Sequence, residues 1–304
     1  MDCLRPQSIP ENRIMETKRD DNGILTRIAW GLCGLFVAFS YPIAAFVLSW
    51  IPALEGLDST ARRLIFSGAW IFLAAAVAVI LYFAKSEKPL LSFRIIEIKD
   101  KKQAWLLPLV SVIGFLGGVA LNRIVNVCHS LIQFPASWEN QYSETIEGTV
   151  QGNPIVAFFA LCAAAPLIEE LSFRGKAFYY FRKAVGKRAG TVVAVAVTSL
   201  LFASLHGNPI QFIYALICGV AFSLLTVSCG SVIPSVFAHV GFNAANLIFY
   251  VFLNNQNRDN MQLMVNIASF VVFAFCVAAA VITGRILRHR KEDRKENSGD
   301  IYIE

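Results

Sequence analysis

Residues 154–173 read PIVAFFALCAAAPLIEELSF, an apolar run of membrane-spanning length that carries two adjacent glutamates, Glu169 and Glu170, near its end. A transmembrane helix needs about 20 mostly apolar residues, and a charged side chain at bilayer depth costs on the order of 3 kcal/mol. Membrane helices therefore carry carboxylates mainly where these groups have a function. This stretch predicts a membrane helix with a functional site inside it.

The composition of the whole chain is typical of a membrane protein. Of its 304 residues, 56% are hydrophobic and only 16% are charged, against roughly 25% charged residues in soluble domains. We predict an all-α fold, a polytopic membrane helix bundle with about eight transmembrane helices. The eight apolar windows are 28–52, 64–84, 104–127, 154–173, 190–206, 209–228, 231–253 and 264–286.

The distribution of charge predicts the orientation. The 27 Lys and Arg residues concentrate in the N-terminal segment, in loops 85–103 and 174–188, and in the C-terminal tail. Basic loops stay on the cytoplasmic side of a membrane, so we expect both termini in the cytosol. For the same reason the net charge of +6 indicates topology and contact with anionic lipid, and does not indicate nucleic-acid binding.

The same features predict the organisation of the chain. A polar cytoplasmic N-terminal segment precedes a membrane domain, and a basic cytoplasmic tail with a disordered end follows it. The predicted ranges are 1–27, 28–286 and 287–304, with a catalytic core at about 150–250. The seven cysteines include no CxxC pair, and we expect them to be small buried hydrophobic residues.

The ionisable residues inside the windows gather on a few helices. Besides the two glutamates, they include His206 at the end of the fifth window, His239 in the seventh, and Arg123 near one end of the third. Polar residues that are merely tolerated would be scattered over all windows. The concentration on the fourth, fifth and seventh windows therefore predicts one site built from three helices.

Spacing predicts how the acidic residues are used. Glu170 and Arg174 are four residues apart and can pair on one helical face, which leaves Glu169 as the freer carboxylate. Adjacent helical residues point about 100° apart, so we expect only one of the two glutamates to face the reaction centre. We predict that the fourth helix continues to Lys183 with Arg174 buried, because only then does Glu169 lie at the depth of His206.

Two further pairs share a helical face. Phe202 lies four residues before His206 and is expected to pack against its ring. His239 and Asn243, at the same spacing, either form a hydrogen-bonded structural pair, ligate a metal or donate to a developing oxyanion. His239 lies too close to the start of its window to reach the depth of His206, so a tilted or broken helix must bring them together. Asn246 extends this polar face.

Segment 128–153 is the longest loop on the outer side. It contains Trp138 and Tyr142 among several glutamates. We expect a solvated cover, and the alternative is an amphipathic segment at the membrane surface.

Three motifs occur in order on separate apolar windows and resemble those of the CAAX protease and bacteriocin-processing (CPBP) family, which contains intramembrane endopeptidases. In this chain they are Glu169-Glu170-x-x-x-Arg174-Gly175, Phe202-x-x-x-His206 and His239-x-x-x-Asn243. The resemblance covers about residues 150–250. It implies an all-helical membrane fold whose site lies in a cavity between helices.

The resemblance also implies roles for these residues. Glu169 would activate water together with His206, while His239 and Asn243 would stabilise the oxyanion. The implied catalytic set is Glu169, Glu170, His206, His239 and Asn243, with Arg174 and Phe202 in support.

A metal cofactor is left open by the sequence. Coordination chemistry allows Glu169, His206 and His239 as three zinc ligands with water in the fourth position. It equally allows a metal-free acid–base pair, and the chain lacks a helical HExxH.

The leading prediction is an endopeptidase of a bacterial plasma membrane, acting on peptides or membrane-anchored proteins. One alternative is a proton-coupled transporter, because buried Glu and His also form proton relays. The other is a non-catalytic immunity protein that binds a peptide in the same cavity. A transporter predicts proton flux without a peptide product, and an immunity protein predicts function that survives Glu169→Gln and His206→Ala.

Overall fold

The computed structural model describes residues 11–48, 56–57, 61–62, 65, 106–150, 154–253 and 259–297. Every regular element in these ranges is helical, so the predicted all-α class is confirmed. Of the eight predicted windows, the second, at 64–84, lies outside the described residues except for Ile65.

Eight helical segments follow one another along the described chain. They are α1 (Glu11–Leu48), α2 (Leu106–Leu131), α3 (Ala136–Val150), α4 (residues 154–185), α5 (Lys187–Ser204), α6 (Pro209–Cys229), α7 (Ile233–Leu253) and α8 (Asp259–Asn297). Each of the other seven windows coincides with one of these helices. One helix, α3, corresponds to no window, because it occupies the segment predicted as a loop. Because α8 continues to Asn297, the first part of the basic tail is helical, and the disordered end predicted for it lies outside the described residues.

Four described helices are long and apolar enough to cross a membrane, as judged by length and composition. Their apolar stretches are Gly23–Ser40 in α1, Pro108–Leu131 in α2, Pro209–Cys229 in α6 and Leu263–Thr283 in α8. The apolar stretches of α5 and α7 are shorter. These helices indicate an integral membrane protein, while the count of eight spans and the cytosolic termini stay predictions.

The fourth helix is one long helical path that contains two π-helical segments. Its α-helical parts alternate with π-helical parts in the order Pro154–Phe159 (α), Ala160–Ala164 (π), Ala165–Glu170 (α), Leu171–Ala177 (π) and Phe178–Val185 (α). The path ends before Gly186, whose φ of 102° is a conformation that glycine adopts readily. The predicted continuation of this helix to Lys183 is therefore confirmed.

Helices α2 and α7 approach each other along a seam of glycines. A Cβ atom on Gly118 of α2 would overlap the carbonyl oxygen of Ala238, and one on Gly241 of α7 would overlap that of Phe115. Small residues let membrane helices pack this closely. The glycine seam thereby sets the position of α7, which carries His239.

The prediction that the cysteines are buried is confirmed for four of the six described ones and is wrong for Cys128. Four of them, Cys162, Cys218, Cys229 and Cys276, are buried free thiols. Cys33 is half-buried and Cys128 is exposed, and Cys3 lies outside the described residues.

Candidate active site

Helices α4 and α7 and the turn after α5 bring the predicted polar residues together. Nδ1 of His239 lies 3.0 Å from Oε1 of Glu170, and its Nε2 lies 3.7 Å from Oε2 of Glu169. His206, His239 and Asn243 line a common cavity. The three motifs thus meet in space, including His239, whose depth the sequence left unexplained.

Glu170 and Arg174 form the predicted pair. Nη1 of Arg174 donates to Oε1 of Glu170 at 2.8 Å, and both side chains are completely buried. The guanidinium carbon of Arg174 also lies 4.4 Å from the centroid of the Phe202 ring and 5.7 Å from that of Phe222. Cation–π contacts at such distances are favourable, and more so when the cation is desolvated. Arg174 is therefore held by one carboxylate and two aromatic rings.

Glu169 is the less committed of the two carboxylates. Its side chain is 23% exposed, and its contact with Nε2 of His239, at 3.7 Å, is longer than a direct hydrogen bond. Both carboxylates approach the imidazole of His239, although Glu170 is paired with Arg174 as predicted, and the expectation that one glutamate faces the reaction centre stays a prediction. An imidazole presents two nitrogens, so two side chains that leave a helix in different directions can each meet one of them.

His206 lies just beyond Ser204, the last residue of α5, close to its predicted place at the end of the fifth window. Its Nδ1 lies 3.0 Å from the carbonyl oxygen of Phe202. A carbonyl oxygen only accepts hydrogen bonds, so Nδ1 carries the proton of this bond and Nε2 is the basic nitrogen of the neutral ring. The Phe202 ring packs edge-on against His206 with centroids 5.1 Å apart, which confirms the contact predicted from their spacing.

Asn243 bonds to α4 rather than to His239. Its Nδ2 donates to the carbonyl oxygen of Leu161 at 2.7 Å. Leu161 belongs to the first π-helical segment of α4, and single π-helical turns within α-helices are frequent at functional sites. The bond ties the polar face of α7 to α4. Asn246, one turn further along, also lines the cavity, as the sequence predicted.

The cavity has a volume of about 120 Å³ and contains several residues that the motifs do not identify. From α6 these are Gln211, Tyr214, Ala215, Cys218 and Phe222, from α3 they are Tyr142 and Ile146, and from α7 Phe242. The α6 residues at positions 211, 215, 218 and 222 follow helical periodicity, so the sequence shows that they share one face of the helix. Such a shared face is equally typical of ordinary helix packing, and the sequence therefore gave no reason to select it.

Helix α3 forms part of the cavity wall. The segment predicted as a loop is a helix with mostly exposed side chains, and the solvated cover and the amphipathic segment at the membrane surface both stay predictions. Tyr142 and Ile146 line the cavity, while Glu139 binds Nε2 of His129 on α2 at 2.8 Å. The rings of Tyr142 and Tyr214 each lie 5.6 Å from that of His129. These contacts hold α3 against α2 and α6.

The predicted zinc ligands are not arranged as a metal site in the part of the chain that the structure describes. No group of three or more His, Cys, Asp or Glu side chains there is placed to hold a metal ion. The donors Glu169, His206 and His239 as placed do not fit a zinc ion. We therefore derive no step through a metal, and zinc stays a prediction for metal analysis.

Comparison with known proteins identifies the same region. Residues 151–245 match the family model described as Rce1-like, type II CAAX prenyl endopeptidase Rce1-like. Every residue from Glu169 to Asn243 in the three motifs lies inside this match, so the resemblance is confirmed for a domain in this part of the chain. Helix α3 lies outside it. No curated protein and no solved structure matches the chain.

Proposed function

We propose that this chain is an intramembrane endopeptidase that hydrolyses peptide bonds in membrane-associated proteins or peptides. The observation that carries the proposal is that His206, His239 and Asn243 line one cavity between helices, while Oε2 of Glu169 lies 3.7 Å from Nε2 of His239. The match of residues 151–245 to an endopeptidase family supports the same class of reaction.

Glu169 is the general base in this proposal. Glu170 is already committed to Arg174, whereas Glu169 is partly exposed and lies 3.7 Å from Nε2 of His239. A water molecule at hydrogen-bond distance from the Glu169 carboxylate transfers its proton there as it attacks the substrate carbonyl. When the resulting oxyanion collapses, the peptide C–N bond breaks and Glu169 returns this proton to the leaving amine. His206 assists as a second acceptor, because its Nδ1 proton is directed to the Phe202 carbonyl and its Nε2 is the basic nitrogen.

Asn243 and His239 stabilise the oxyanion that this attack creates. The Asn243 amide has two N–H groups, and one of them serves the carbonyl of Leu161. The other donates to the oxyanion, joined by Nε2 of His239 in its protonated form. Glu170 and Arg174 orient this imidazole through the bond from Nδ1 of His239 to Glu170. The tie to Leu161 orients Asn243 in the same way.

The proposed setting is a bacterial plasma membrane. The short connections between α4, α5, α6 and α7 favour a compact bacterial protein, whose substrates would be peptides or anchored protein tails.

The test is cleavage of a library of membrane-anchored peptides by the purified full chain in liposomes, with products identified by mass spectrometry. We expect wild type and Glu147→Gln, which changes an exposed carboxylate of α3, to cleave, and His206→Ala/His239→Ala to be inactive. Metal content and chelator sensitivity are measured on the same samples. Zinc that is lost in the double variant, with chelator-sensitive cleavage, would establish a metallopeptidase. Substrate-dependent proton flux without a peptide product would contradict the proposal and favour a transporter.

A further inference from the structure

Asn208 lies two residues after His206 and is almost completely buried. Its Oδ1 accepts hydrogen bonds from the backbone N–H groups of Ile210 at 2.8 Å and Gln211 at 3.1 Å, which caps the first turn of α6. Its Nδ2 donates to the carbonyl oxygen of Trp138 in α3 at 3.4 Å. One side chain therefore joins the start of α6 to α3 beside the His206 turn.

A second amide ties the same turn to α3. Nε2 of Gln141 donates to the carbonyl oxygen of Gly207 at 3.4 Å. Gly207 has no side chain of its own, and no atom lies within 4 Å of the position that a Cβ would occupy there. Glycine gives the backbone more conformational freedom than any other residue. Each of the two residues after His206 is thus tied to α3 by one side-chain amide hydrogen bond.

Capping alone does not account for asparagine at this position. Serine and aspartate are about as effective as asparagine at the N-cap, because the cap needs only a side-chain oxygen. What the asparagine amide adds is a donor, and that donor is directed to Trp138 on α3.

We propose that Asn208 is a positioning residue for His206. It acts by fixing the turn that carries His206 to α3. The inference rests on the proposed function of His206. His206 lies outside α5, and its ring contacts Phe202 through the carbonyl bond and through ring packing. The direction of its Nε2 therefore depends on the backbone of the turn, which the ties from Asn208 and Gln141 hold. Because α3 lies outside residues 151–245, the tie couples this wall of the cavity to the matched domain.

The test compares Asn208→Ser, which keeps a capping oxygen but loses the donor to Trp138, with Gln141→Met, which removes the second tie. The matched control is Asn126→Asp, because the amide lost there serves only Asn122 in its own helix. The reaction of each histidine with diethyl pyrocarbonate is followed by mass spectrometry on the detergent-solubilised full chain. We expect the rate at His206 to rise several-fold in both variants, with His239 as an unchanged internal reference and the control unchanged.

Kinetics on the same variants separate positioning from substrate binding. We expect kcat to fall by about 10- to 100-fold, because a displacement of about 1 Å has effects of this size, while KM changes little. Asn208→Ala removes the cap and the tie to α3 together. If the rate of His206 modification rises only in this variant, and not in Asn208→Ser or Gln141→Met, the positioning role is wrong. Failure of the proposed function has a different result. Wild type would then cleave nothing, while the rate of His206 modification by diethyl pyrocarbonate would still rise in both variants.

Discussion

The two histidines that line the cavity are held in different ways. His239 lies within α7 and is buried, with its Nδ1 on the Glu170 carboxylate. Its ring lies 5.8 Å from that of Phe202 and 5.3 Å from that of Phe222. His206 lies beyond a helix end, is only half-buried, and binds a backbone carbonyl.

Because of this difference, substitutions near His239 and substitutions near His206 should affect stability and activity differently. The position of His239 depends on the glycine seam and on the buried pair of Glu170 and Arg174, which also hold the helices together. Damage there is expected to affect stability and activity at once. The position of His206 depends on a turn tied to α3, so damage there is expected to reduce activity and leave the bundle intact.

Breaking the ion pair on the His239 side should have the largest effect. We expect Arg174→Met to lower the free energy of unfolding by about 3–5 kcal/mol, because it leaves a buried carboxylate without its counter-charge. In Glu170→Leu/Arg174→Met most of this stability should return, while cleavage stays impaired because His239 has lost its partner. Unfolding in detergent measures the first effect, and equal stability of Arg174→Met and wild type would contradict it.

Replacing each histidine in turn sharpens the comparison. We expect His206→Leu to lower kcat/KM by about 10²- to 10⁴-fold, the usual contribution of an acid–base group, and His239→Leu by about 10²- to 10³-fold, the usual effect of losing one oxyanion donor. Only His239→Leu should also lose stability, by about 1–3 kcal/mol, because a buried carboxylate loses a hydrogen-bond donor. Cleavage assays and unfolding curves on the same preparations check both parts. A larger loss of stability in His206→Leu than in His239→Leu would refute the distinction.

The glycine seam offers a pair of neighbouring substitutions. Gly118→Ala places a methyl group against the carbonyl of Ala238, and overpacking of this kind costs about 1–3 kcal/mol. Gly117→Ala meets the Cβ atom of Cys276 at 3.4 Å and should be tolerated much better. Thermal unfolding in detergent measures both variants, and equal midpoints would show that the seam does not set the spacing of α2 and α7.

The smallest expected effect concerns the wall formed by α3. Burial, and then the nearby Glu139 carboxylate, raise the pKa of Tyr142 to about 12. A tyrosine in the unfolded chain ionises near pH 10, so the unfolded state loses its proton first and stability falls as pH rises from 10 towards 12. In Tyr142→Phe this alkaline fall should be shallower. Unfolding at pH 8, 10 and 11 measures the slope, and identical slopes in both proteins would contradict the prediction.

The parts of the site that the sequence predicted are local. The pairing of Glu170 with Arg174 and the packing of Phe202 on His206 both follow from a spacing of four residues on a helix. The length of α4 followed from the depth at which Glu169 must lie to be level with His206. The first two inferences need only the geometry of one helix, and the third needs only the rise per residue of two helices.

The parts that the sequence did not predict depend on contacts between elements. No periodicity shows that α4 contains π-helical segments or that the Leu161 carbonyl accepts from Asn243. Tyr142 reached the cavity because α3 packs against α6, which a single polar segment does not reveal. Asn208 could be recognised as a helix cap, whereas its donor to Trp138 exists only in the folded chain.

The most direct test of the central claim is the cleavage rate of Glu169→Gln on a peptide that the wild type cleaves. The matched control is Glu144→Gln, which changes an exposed carboxylate of α3. We expect Glu169→Gln to lose about 10²- to 10⁴-fold in kcat with an unchanged unfolding curve, and the control to match wild type. Cleavage by Glu169→Gln at the wild-type rate would contradict the claim that this carboxylate activates the water.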